Sequence, residues 1–353
     1  MSLLISRLAS RLVQSGPSAP PSILKSKCGC RKIAYTAVCQ QWQRRRFPAH
    51  LQPAAAGSQA PSVKDKLPKS KSAPACFGEF DLQNKVFVVT GGARGLGLTL
   101  AQALVEAGGK VYCLDQLADP DKEFGIAKDR LGPQYGCSLN YDQVDVRDAG
   151  NLDRVISGVA DKHQRLDGLI AAAGVQNVQP ALDHTPEKIM DMMDINYKGV
   201  YCSAVSCARQ MVKYDCAGSM LLIASMSGLI ANKGFTSSVY NSSKAAVCQL
   251  ARSLAMEWGQ MKKGKPIRVN ALCPGNIMTP MVRKNFEDDP HLKGLWEKEN
   301  MLGRISEPSE YRGAALFCLS DASTFMTGSQ VGELSMPVEV DTYTVLIVKS
   351  AHY

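Results

Sequence analysis

From residue 85 onward the chain alternates short apolar runs with longer segments whose apolar positions recur every three or four residues. The first run, 85–90, is β-branched and continuous, the pattern of a strand buried on both faces. A glycine-rich stretch follows. A helical pattern then runs through Leu98, Leu100, Ala103 and Leu104 to Gly108 and Gly109. Further strands are expected at 111–115, 139–145, 168–172, 219–224 and 267–272, with helices over 151–162, 186–212 and 240–260 between them. Such alternation predicts one α/β domain, a doubly wound parallel sheet with helices on both faces, over residues 77–331.

The first 76 residues differ in kind. Residues 1–64 contain ten Lys and Arg and no Asp or Glu, the first acid being Asp65. Ile5, Leu8 and Leu12 fall at helical spacing, with Arg7 and Arg11 on another face. A basic, acid-poor, Ser-containing amphipathic start has the composition of a mitochondrial targeting leader, and a disordered basic tail without an address is the plainer alternative. Residues 61–74, with Pro at both ends and four Lys, read as a linker.

The chain's net charge of +9 therefore resides in this leader, and the remainder is close to neutral. A nucleic-acid partner is not expected. No apolar stretch is long enough for a membrane span, since 220–231 is interrupted by Ser225 and Ser227. The twelve cysteines show no zinc-ligand spacing, so free thiols and no metal are expected.

The stretch 90–97 reads Thr-Gly-Gly-Ala-Arg-Gly-Leu-Gly and lies between the first strand and the first helix. Gly91, Gly95 and Gly97 allow a sharp turn and close approach of a pyrophosphate to a helix N-terminus, although such a loop alone is also an ordinary turn. Asp115 ends the second strand, 18 residues after Gly97. A carboxylate there accepts hydrogen bonds from the adenosine ribose and opposes the extra phosphate of NADP. Arg94 in the loop points weakly the other way. NAD is the expected cofactor, ahead of NADP.

Tyr240 and Lys244 are four apart on one helical segment and so share a face. An ammonium beside a phenol favours phenolate, which would suit Tyr240 to acid/base work. Ser227 stands thirteen residues before Tyr240, just beyond the fifth strand, where a substrate carbonyl would sit in an open α/β sheet.

Taken together, the glycine loop, an Asn, Ser-x12-Tyr-x3-Lys and a Pro-Gly pair resemble the short-chain dehydrogenase/reductase family over about residues 80–331. The resemblance implies Tyr240 as general acid/base, with Lys244 lowering its pKa and binding the nicotinamide ribose. It implies Ser227 as the group polarising the substrate oxygen, and Asn196 as holder of a relay water. It also implies a cofactor site formed by Gly91, Arg94, Gly95, Leu96, Gly97, Asp115, Asp145, Val146, Ala173, Gly174, Tyr240, Lys244, Pro274, Gly275, Ile277 and Thr279.

The wording of 272–280 and 303–308 resembles fungal polyol dehydrogenases of the D-arabinitol 2-dehydrogenase and sorbose-reductase group. This implies interconversion of a polyol and its ketose in a homo-oligomer, dimer or tetramer. A ketoreductase on a lipid-like or secondary-metabolite ketone, and a catalytically impaired NAD-binding scaffold, are the other readings. Two departures stand out. Residues 171–174 read Ala-Ala-Ala-Gly where the family has Asn-Asn-Ala-Gly. After Val331 the expected acidic, Gly-rich close of the last strand is replaced by an atypical tail, 332–353, in which 345–348 is strand-like.

Overall fold

The apolar runs form one sheet because each is short, β-branched and apolar enough to be covered on both faces. The structure, a computed structural model, describes residues 77–130, 137–231, 236–261 and 263–332. The strands are β1 (Val86–Thr90), β2 (Lys110–Asp115), β3 (Ser138–Gln143), β4 (Gly168–Ala171), β5 (Gly218–Ile223), β6 (Ile267–Cys273) and β7 (Gln330–Gly332). They pair in parallel in the order β3-β2-β1-β4-β5-β6-β7.

Alternate residues of β1 serve two cores. Val86 and Val88 pack with α3 (Ala149–His163), α5 (Val200–Lys213) and α6 (Ser238–Gly259). Phe87 and Val89 pack with α1 (Gly95–Glu106), α2 (Lys122–Arg130) and α9 (Arg312–Leu319). The chain leaves β1 toward β2 and β3, then returns to place β4 on the other side of β1. That reversal opens a crevice at the carboxyl ends of β1 and β4, the place where open α/β sheets bind ligands.

Several expectations are corrected. The helix over 186–212 is interrupted: α4 (Pro186–Met193) passes through a six-residue π turn, Asp194–Gly199, before α5 begins. The third strand stops at Gln143 and not at 145, because its partner β2 ends at Asp115. The pattern missed α2, in which Gly125 dilutes an already polar segment. It also missed the helices of the 276–308 region, α7 (Pro280–Asp288) and α8 (His291–Glu299). With flanking Met278 and Ile305 these two form a small apolar cluster: Trp296 and Ile305 packed by Met278, Val282, Phe286 and Leu292. A seventh strand is present, three residues long against Ala271–Cys273. The leader over 1–76 and the strand-like 345–348 lie outside the described residues.

Candidate active site

The glycine loop has little freedom to be anything else. Gly91 takes φ +70°, and a Cβ there would meet the Ala173 amide nitrogen at 2.6 Å. A Cβ on Gly97 would overlap the Gly91 carbonyl oxygen, so the turn closes on itself only with glycine at both positions. Gly95 has φ +59°, and a Cβ there would meet only Pro280 Cδ, at 3.5 Å. No side chain caps α1, whose N-cap is Arg94. Its first N–H groups are thus left for a ligand, and the cradle fits a pyrophosphate.

Asp115 is placed beside this cradle. Its Oδ2 accepts from the Ala93 N–H at 3.2 Å and its Oδ1 from the Leu117 N–H at 3.4 Å. The carboxylate therefore braces the glycine loop while still lining the cavity. Asp145 is gripped by the Arg147 guanidinium at 2.6–3.1 Å, which holds its carboxyl below the ordinary carboxylate range. Next to it, Val146 lies under the side chain position of Gly199, where a Cβ would meet Val146 Cγ2 at 2.7 Å.

Tyr240 and Lys244 enter from the first turns of α6. Lys244 is 4 % exposed, its Nζ donates to the Ile223 carbonyl at 2.9 Å, and it lies 5.7 Å from the Tyr240 ring centroid. Burial lowers its ammonium to about 8. Burial also pushes the Tyr240 phenol above its ordinary value, and the opposing influence is a hydrogen bond from the Ser225 side chain. The ammonium is thus held between the end of β5 and the face of the Tyr240 ring, in the same cavity as the phenol.

Ser225 escaped the sequence reading, which chose Ser227 on its spacing from Tyr240. The chain leaves β5 through Ala224 and enters a one-turn 3-10 helix, Met226–Gly228, capped by Ser225. Ser227 donates its own N–H to Ser225 Oγ at 3.1 Å. Both serines line the cavity, and Ser225 is the neighbour whose hydroxyl opposes the effect of burial on the phenol. The available signal was its place as the first polar residue beyond the strand. The turn is pressed onto α6, since a Cβ on Gly228 would meet the Lys244 carbonyl carbon at 2.7 Å. It is tied to the opposite wall by the Met226 N–H donating to the Pro274 carbonyl at 2.8 Å.

Asn196 sits in the π turn, fully buried, and does not line the cavity. Its Oδ1 accepts from the Val175 N–H at 2.8 Å, and its Nδ2 donates to the Val175 carbonyl at 2.9 Å and to Ser243 Oγ at 3.0 Å. Its side-chain amide is a brace between the loop after β4 and α6. Gly174 lies at the junction: a Cβ there would stand 3.3 Å from Lys244 Nζ and 3.4 Å from Asn196 Oδ1.

The fourth wall is the segment after β6. Met278 N–H donates to the Ser306 carbonyl at 2.8 Å, and Ser306 N–H to the Asn276 carbonyl at 3.0 Å. These bonds hold Ile277 beside the cavity, and Thr279 caps α7 through Val282 N–H at 3.4 Å. A single cavity of about 620 Å³ is lined by every residue expected from the sequence except Asn196, together with Ser225 and Gln176, which were not expected. Residues from nine separate stretches of the chain meet there.

Comparisons with known proteins agree with this architecture. A family model described as enoyl-(acyl carrier protein) reductase matches residues 91–332. A short-chain dehydrogenase/reductase of Aspergillus versicolor is 36% identical, over 77% of this chain and 94% of its own. The D-arabinitol 2-dehydrogenase (ribulose-forming) of Scheffersomyces stipitis is 31% identical, over 70% and 92%. Among solved structures, the NADPH-dependent 3-quinuclidinone reductase of Rhodotorula rubra superposes with TM-score 0.64 at 30% identity, covering 75% of this chain and 96% of that one.

Proposed function

The chain belongs to the short-chain dehydrogenase/reductase family, and from that premise we propose that it is an NAD(H)-dependent oxidoreductase interconverting a D-arabinitol-like polyol and its ketose. The observation that carries the reading is the meeting of Tyr240, Ser225 and Lys244 in one cavity with the glycine cradle and Asp115.

The cofactor would lie with its pyrophosphate on Gly91, Gly95 and Gly97 and its adenosine ribose at Asp115. Val146 would flank the adenine, Lys244 the second ribose, and Ile277 and Thr279 the nicotinamide. When bound, it supplies a hydride acceptor or donor. In alcohol oxidation, Tyr240 as phenolate takes the proton of the substrate hydroxyl, and in ketone reduction Tyr240 as phenol returns it. The Ser225 hydroxyl beside the phenol offsets part of the burial that opposes charge on Tyr240, and Ser227 would polarise the substrate oxygen. The Ser227 N–H holds the Ser225 hydroxyl in place.

Asp115 favours NAD because its fixed carboxylate would stand against a 2′-phosphate. Arg94 and the NADPH-dependent relative pull the other way. The polyol reading is supported by the D-arabinitol 2-dehydrogenase relative. A reductase of less polar ketones is the second reading, favoured by Met281 and Trp296 in the cavity lining. A scaffold without catalysis would need neither the phenol nor its serine. We also propose that residues 1–76 act as a mitochondrial leader and that the protein is a homo-oligomer.

The test is turnover of D-arabinitol by the full chain, with NAD compared with NADP, for the parent protein and Tyr240→Phe. NAD-dependent turnover abolished in the variant supports the proposal. A preference for NADP, or turnover of apolar ketones with none of any polyol, overturns that part of it.

A further inference from the structure

One wall of the cavity carries an amide pair with no part in the proton chemistry. Gln176, in the loop after β4, lines the cavity, and its Oε1 accepts from Asn285 Nδ2 at 3.0 Å. Asn285 is on α7, 109 residues further along the chain. The two side chains join α7, which lines the cavity through Met281, Val282 and Lys284, to the loop after β4.

Gln176 stands on an immobilised backbone. Its neighbour Val175 is bonded through both N–H and carbonyl to Asn196, which is itself anchored to Ser243 beside Lys244. Two residues before Gln176, a Cβ on Gly174 would be 3.3 Å from Lys244 Nζ. Two residues of chain span at most about 7 Å, so Gln176 is rooted close to the reacting groups.

A glutamine amide has one carbonyl and two N–H donors. With the carbonyl on Asn285, the Nε2 donors have no partner among the described residues. Rotating both amides exchanges the roles and leaves the carbonyl instead, so one polar end of Gln176 is available to a ligand in either assignment. The same cavity holds apolar Met281 and Trp296 from α7 and α8, and Lys284 there is exposed to water. An uncharged, partly buried amide is suited to reading a hydroxyl and gains nothing from a bare hydrocarbon.

We propose that Gln176, positioned by Asn285, determines substrate specificity by hydrogen-bonding a hydroxyl on the carbon chain beside the reacting carbon. This rests on the polyol reading and names the residue that would enforce it. A substrate lacking the hydroxyl leaves a desolvated amide unpaired, which is the stronger form of discrimination open to such a site.

The experiment compares the full chain with Gln176→Leu and Asn285→Leu. Substrates are D-arabinitol and 2-butanol, a secondary alcohol without further hydroxyls. NAD affinity is followed separately by thermal shift. Gln176→Leu should raise the KM for D-arabinitol about tenfold or more, with kcat changed less than about threefold and NAD affinity unchanged. Turnover of 2-butanol should change less than about threefold, and Asn285→Leu should give a smaller rise of KM in the same direction. An equal loss on both substrates would make Gln176 a prop for the loop and overturn the proposal, as would an unchanged KM for D-arabinitol. Parent protein that turns over 2-butanol but no polyol sinks the polyol reading itself. Parent protein active on D-arabinitol with Gln176→Leu unaffected sinks the role of Gln176 alone.

Discussion

Ser225→Ala against Ser227→Ala is the sharpest perturbation available at this site. The phenol of Tyr240 is buried, and burial raises its pKa; the Ser225 hydrogen bond is the influence that lowers it. A hydrogen bond to a charged group contributes about 1.5–3 kcal/mol. Its loss on the phenolate side corresponds to about one to two pH units, since about 1.4 kcal/mol is one unit. In the oxidation direction Tyr240 must be ionised, so kcat/KM rises with pH and levels off above the phenol's pKa. Ser225→Ala should move that rising limb to higher pH by about one unit or more and cost about 10–100-fold in kcat/KM at neutral pH. In the reduction direction the phenol is the required form, and the loss at neutral pH should be smaller. Ser227→Ala keeps the backbone N–H that holds Ser225, so it should leave the limb in place and, if its hydroxyl polarises the substrate oxygen, lower kcat/KM by a similar factor at every pH. The assay is kcat/KM for polyol oxidation from about pH 6 to pH 10. A limb that stays put in Ser225→Ala, or one that moves in Ser227→Ala, would refute the reasoning.

Two further outcomes follow from the same geometry. Gly97→Ala places a methyl group on the Gly91 carbonyl oxygen and should weaken NAD binding at least about tenfold, measured as loss of the cofactor's thermal stabilisation. Lys244→Met probes the cost of a buried ammonium: a folded pKa of about 8, against about 10.4 unfolded, costs about 3 kcal/mol below pH 8 and is relieved as pH rises to about 10.4. The parent should therefore gain stability relative to Lys244→Met between about pH 8 and 10, in denaturant titrations of both proteins; a constant difference across that window counts against the depressed pKa.

Much of this protein was legible in one dimension. The strands β1, β2, β4, β5 and β6 were visible because an apolar β-branched run is a local property, and so was the glycine loop, because only glycine tolerates those turns. The Tyr240–Lys244 pair was readable because helical spacing alone puts residues four apart on one face. The near-neutral charge beyond the leader was likewise a matter of composition.

What needed the folded molecule was direction and distance. Ser225 and Ser227 are two residues apart, and a single 3-10 turn, capped by Ser225 Oγ accepting from the Ser227 N–H, decides how the two hydroxyls are placed in the cavity. The Lys244 ammonium could not be assigned from spacing either, because its partner, the Ile223 carbonyl, comes from a strand 21 residues earlier. Asn196 becomes a brace only because a π turn aims its amide at Val175 and Ser243. Gln176 meets Asn285 across 109 residues, a proximity set by where α7 packs and by nothing in the local pattern of either segment. Periodicity reports which face of an element is buried; which side chains meet in the crevice is decided by how the elements, once formed, can be packed around one sheet.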